Sequence, residues 1–237
     1  MATAAANVLS ALEFTGYGIV LVSGVAFTYY ALQNFELDRM EGHEDFWSYL
    51  SYLGIALSAF ALCGLALMLG GGNVVRAFGD LSLLFGIAFV AFAMREVYYD
   101  SALAPPPEER DLSLEQVRTI EFAFVLVIAA EWVVVVALGD TTATAIIKGV
   151  GALAFAAYGV AFSERLEALA HGTTMDTLRR HLLIVLVCAT GVAVAGLVAL
   201  VAPAAVADSM SYVFLVLLGG LLVPPTIRLQ QSVAGIS

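Results

Sequence analysis

LEQVRTIEFAFVLVIAAEWVVVVAL, Leu114 to Leu138, is the stretch whose reading decides the fold. After Glu121 its only ionisable side chain is Glu131. At about 1.5 Å per residue it is long enough to cross a hydrocarbon layer about 30 Å thick as one helix. The chain before it resembles the chain after it. GVAFT (Gly24–Thr28) returns as GVAFS (Gly159–Ser163), GLALMLGG (Gly64–Gly71) as GLVALVAP (Gly196–Pro203), and Arg95 has a counterpart in Arg228. The three offsets agree to within about three residues, which predicts two parallel three-helix halves joined by one central helix, a 3+1+3 arrangement.

Composition points the same way. The chain of 237 residues is 61% hydrophobic and 13% charged, with a mean hydropathy of +0.94. Almost no amphipathic helix is left to cover a soluble core. An all-α, seven-helix membrane domain over residues 1–237 is expected. Its spans are Ala11–Phe35, Phe46–Leu69, Val74–Tyr98, Gln116–Leu138, Thr141–Ser163, His181–Val201 and Asp208–Ile227. GGGN (Gly70–Asn73) reads as a tight turn, and Ser113 with Gln116 as a capping box. Pro224–Pro225 should kink or end the last span. The N-terminus lacks the basic region of a signal peptide, so the first helix is expected to be retained. Few residues come after Arg228, so no attached output domain is expected.

Arginine placement predicts orientation. One side receives Arg39, Arg95, Arg110, Arg118, Arg165, Arg179, Arg180 and Arg228, and the other only Arg76 and Lys148. The N-terminus is therefore expected outside and the C-terminus inside the cytoplasmic membrane. The net charge is −10, Lys148 is the single lysine, and the loops are acidic. That balance suits concentrated salt and offers no basic patch for nucleic acid.

Ionisable residues within spans are functional candidates by default. Asp80, Glu131 and Lys148 lie roughly 9–10 Å below one surface, with Arg76 a turn above Asp80. Two roles fit: an ion, proton or ligand site, or a structural salt bridge with Lys148 snorkelling outward. The structural role is the simpler. A second group, Arg95, Glu96, Glu121, Glu164, Arg165 and Arg228, falls near the opposite surface and reads as headgroup-depth anchors. A charged latch at a cytoplasmic exit is the alternative. Tyr17, Phe27, Tyr29, Tyr49, Tyr52, Tyr158, Tyr212 and Phe214 could line a pocket, though packing is the commoner use. Cys63 and Cys188 read as lone buried thiols. His43, His171 and His181 are not placed for haem, and no metal-ligand spacing or catalytic constellation is visible. No enzymatic activity, metal or cofactor is expected.

The layout resembles the microbial rhodopsins. LMLGGG (Leu67–Gly72) is similar to that family's glycine-rich exit from its second helix. Arg76-Ala-Phe-Gly-Asp80 resembles its arginine with a counter-ion aspartate one turn later. The family binds retinal through a lysine in the seventh helix, whereas here that helix reads SMSYVFLVLLGGLLVPPTIRL (Ser209–Leu229). The aromatic-rich sixth helix is replaced by CATGVAVAGLVAL (Cys188–Leu200). The resemblance thus implies a scaffold without covalent retinal. Sugar transporters share a three-one-three plan, but their signature motifs do not occur here. The expected function is a receptor-like or accessory membrane protein working through partner subunits or a homo-oligomer. A small-solute or ion transporter using the Asp80, Glu131 and Lys148 cluster is the alternative.

Overall fold

The computed structural model describes residues 2–38, 44–100, 106, 110, 112–170 and 174–235. His43 and His171, with Arg39 and most of the proline-bearing loop, lie outside the described residues. Among the described residues, eight helices run in the order α1 (Ala2–Asp38), α2 (Glu44–Met68), α3 (Asn73–Asp100), α4 (Leu114–Leu138), α5 (Thr142–Ala170), α6 (Thr174–Val198), α7 (Ala204–Leu221) and α8 (Val223–Val233). They supply seven helical stretches long and apolar enough to cross a membrane, with α7 and α8 together forming the last, Ala204–Val233. Helices are the form expected there, because each closes its own backbone hydrogen bonds without water. Among the described residues no strand occurs.

Local chemistry sets the boundaries. Ser113 Oγ accepts from the Gln116 amide at 3.2 Å, and Gln116 Oε1 accepts from the Ser113 amide at 2.9 Å, so α4 starts on the expected capping box. After α2 the Gly71 amide donates back to the Ala66 carbonyl at 3.0 Å, with Gly70 at φ 94°. That left-handed step is open to glycine at little cost. Gly139, at φ 72°, turns α4 into α5, and a Cβ there would sit 2.9 Å from Asn73 Nδ2. Pro224 and Pro225 carry no amide hydrogen, so the seventh span breaks at Leu222 and resumes as α8. The Leu222 carbonyl there accepts from Thr226 Oγ1 at 2.6 Å.

The helices close a ring in chain order, each packing on the next and α7 returning to α1. Within it α3 touches α2, α4, α5 and α6, and 72% of its membrane window is buried, against 17% for α4. The helix at the middle of the sequence therefore lies at the perimeter, and α3 is the spatial centre. The reason is visible in α4 itself. Its buried residues, Val117, Ile128, Glu131 and Val135, form a single stripe. Phe122, Val125, Leu126 and Val133 face outward.

Small residues let helices approach closely. A Cβ at Gly54 of α2 would sit 2.3 Å from Thr28 Oγ1 of α1. The recurring glycines of the sequence pack alike. Gly24 faces Ser58 on the following helix, and Gly159 faces Leu186 on the following helix. Gly64 and Gly196 each face the preceding helix, at Tyr17 and Ala145. Arg95 and Arg228 differ: Arg95 is buried, whereas Arg228 is exposed on α8.

Candidate functional site

A polar cavity of about 200 Å³ lies inside the end of the bundle that carries the α2–α3, α4–α5 and α6–α7 turns. Its polar walls come from four helices: Tyr17 on α1, Arg76 and Asp80 on α3, Lys148 on α5 and Ser211 on α7. Phe60, Leu67, Leu83 and Val192 supply apolar surface. Asp80, Lys148 and Ser211 meet because each lies roughly 9–11 Å into its helix, counted from the same end. Gly64 and Gly79 also line the space, where a larger side chain would take volume from it.

Lys148 Nζ donates to Asp80 Oδ1 at 2.9 Å, with side chains 22% and 15% exposed. Lys148 therefore does not snorkel free; it is tied to α3. Arg76 does not pair with Asp80. Its guanidinium turns to Asp140 at 3.0 Å, an exposed contact of small energetic weight. Glu131 is fully buried, and neither carboxyl oxygen has a hydrogen-bond partner among the described residues. It lies within electrostatic reach of both Asp80 and Lys148. The expected cluster thus resolves into a bonded pair facing the cavity, a mouth-side arginine, and a separate buried carboxyl.

The group expected at headgroup depth is different in kind. Arg95 and Glu96 are each only 6% exposed. Arg95 Nε donates to Glu121 Oε1 at 2.7 Å and its Nη2 to Oε2 at 3.1 Å, a two-pronged contact between α3 and α4. Nη1 contacts Glu96, and Nη2 reaches Tyr49 Oη of α2 at 3.4 Å. Tyr158 Oη of α5 donates to Glu121 Oε1 at 3.1 Å. Arg95, Glu96 and Glu121 are therefore interior partners rather than lipid anchors, because α3 is buried without a break from Val90 to Tyr99. Arg228 stands apart, bonded to Gln231 at 3.1 Å. Glu164 is exposed. Arg165 lies over the rings of Phe162 and Tyr98 at 5.3 and 5.8 Å.

A further junction ties α5 to α6. Buried Arg179 donates to the Ser163 carbonyl and hydroxyl, both at 3.0 Å, and to Asp176 at 2.7 Å. Asp176 also receives Arg180 at 2.8 Å. The spacing Asp176, Arg179, Arg180 is the helical i, i+3, i+4 pattern and is readable in the sequence. Tyr49 and Tyr158 leave no such signal, since their partners are far away along the chain. Between these junctions and the cavity the bundle is filled with rings. Phe92 stacks on Phe124, Phe124 meets Phe155 with centroids 4.4 Å apart, and Tyr158 meets Phe162 at 4.8 Å.

Chemically, the cavity presents an ammonium, a carboxylate, a guanidinium and two hydroxyls around a small space with apolar walls. That is equipment for holding a small polar molecule. Comparison with models of known protein families, with curated proteins and with solved structures gives no match for this chain.

Proposed function

We propose that this membrane protein is receptor-like. It takes a small polar ligand into the Asp80–Lys148 cavity from outside the cell and acts through partner subunits in the cytoplasmic membrane, without catalysis. The observation that carries this reading is a cavity with one blind end. Leu83, its deepest contact on α3, is roughly 15 Å along a helix of roughly 40 Å. Beyond it come the stacked rings and the Arg95–Glu121 junction.

The arginine bias supports placing the cavity on the outside, since Arg76 and Lys148 are the only cations at that end. The glycines that pack alike in the two halves support the 3+1+3 plan as a trace of duplication. A scaffold shared with microbial rhodopsins is supported by the sequential ring of seven spans. Partner contact is supported by the outward apolar face of α4 and by a groove of about 460 Å³ between α1 and α2.

The second reading, a proton- or ion-coupled transporter, draws on Glu131, whose buried unpartnered carboxyl calls for an explanation. Purified protein in sealed liposomes separates the two. The receptor reading expects saturable ligand binding with no solute or proton flux above that of empty liposomes. Flux that disappears in Glu131→Gln would establish the transporter instead.

A further inference from the structure

We propose that the cavity selects a small zwitterion, a molecule with a carboxylate and an ammonium a few atoms apart, which inserts between Lys148 and Asp80. The proposal rests on the receptor reading only in taking the cavity to be reachable from outside. The physical basis is the closed pair, with Nζ and Oδ1 2.9 Å apart. A simple carboxylate drawn to Lys148 meets Asp80 beside it and leaves that aspartate without its cation. A simple amine drawn to Asp80 displaces Lys148 and leaves the ammonium unpaired. Stranding a poorly solvated charge is the costly outcome in either case. A zwitterion replaces both halves at once: its carboxylate takes Lys148, its ammonium takes Asp80, and every charge stays paired. The same geometry rejects the singly charged analogues.

Other features fit this class. Tyr17 and Ser211 bring hydroxyls to the cavity, and Arg76 brings a second cation toward a carboxylate. Arg76 is free to turn, because its present bond to Asp140 is exposed on both sides. The rings of Tyr17 and Phe60 meet edge to face at 5.5 Å and offer an aromatic corner to an ammonium. The volume of about 200 Å³ is small, below the roughly 300–1,000 Å³ of sites for larger ligands.

The test is calorimetric titration of the full-length protein in nanodiscs. The probes are glycine, alanine, γ-aminobutyrate and trimethylglycine as zwitterions, propionate as carboxylate alone, and ethylamine as ammonium alone. At least one zwitterion is expected to bind saturably, and propionate and ethylamine at least tenfold more weakly. Asp80→Asn and Lys148→Met should each weaken the zwitterion roughly 30-fold or more, the scale seen when one partner of a desolvated charge pair is removed. The double variant removes both charges together, so it keeps the balance and serves as the folded control, checked by circular dichroism and gel filtration. It should not bind. The proposal is overturned if no zwitterion binds, if propionate or ethylamine binds as well as the zwitterions, or if the folded double variant retains affinity. Zwitterion binding accompanied by flux in liposomes would remove the receptor reading and leave this proposal standing.

Discussion

Arg95 is the residue whose removal should cost most. Its guanidinium serves Glu121 with two nitrogens, contacts Glu96 and reaches Tyr49, all inside the bundle. Arg95→Met strands Glu121 without its cation, a loss on the order of 3–5 kcal/mol. Arg228→Ala, at an exposed site, should stay within about 0.5 kcal/mol. Melting temperatures in mild detergent will compare the two. Lys148 gives a second residue-scale prediction. Lys148→Ala should destabilise the protein, by less than Arg95→Met because the Asp80 pair is partly exposed. Replacing Asp80, Glu131 and Lys148 together by apolar residues should recover much of that loss, and a triple variant less stable than Lys148→Ala would count against a shared cluster. The Asp80–Lys148 pair is legible in the sequence because depth can be counted along a helix. The interior position of Arg95 is not, because depth says nothing about which face of a helix meets its neighbours. Helical spacing places Arg76 beside Asp80, whereas the structure gives it to Asp140, a residue of the adjoining turn.

At the scale of the element, burial divides helices that look alike in the sequence. Both α3 and α4 are long and apolar, yet α3 runs through the centre and α4 shows the surroundings all but one stripe. Hydropathy registers length and composition, and a lipid-facing leucine is as apolar as a core leucine, so it cannot rank helices by centrality. Caps and breaks are readable, since they depend on neighbours in the chain: Ser113 with Gln116, Gly70, and Pro224–Pro225 all act where expected. Helix lengths are less so, and α1 begins at Ala2, well before Ala11. The α1–α2 crossing is the contact most sensitive to one atom. Gly54→Leu drives a side chain into Thr28, for which overpacking predicts a loss of about 1–3 kcal/mol or a splayed helix pair. Gly18→Leu, with nothing within 4 Å of its added Cβ, is the matched control and should be tolerated. Equal melting temperatures for the two variants would show that α1 and α2 do not cross at these residues.

The whole molecule carries a net charge of −10 on a chain only 13% charged. Self-repulsion in its acidic segments should weaken as salt shortens the Debye length from about 10 Å at 0.1 M to about 3 Å at 1 M. The melting temperature in detergent is therefore expected to rise over that range of potassium chloride. The buried Arg95 junction should be insensitive, so Arg95→Met ought to shift the curve down in parallel. Seven spans are legible from hydropathy alone; the cavity is not, because it exists only where residues of α1, α2, α3, α5, α6 and α7 converge. Its accessibility is the most direct test of the receptor-like account. In a background without Cys63 and Cys188, Ser211→Cys should react with a small membrane-impermeant thiol reagent applied outside intact cells. It should stay unreactive to the same reagent applied to inside-out vesicles, where Ser101→Cys serves as the positive control. Labelling of Ser211→Cys from the inner side would contradict an outward-opening, blind cavity.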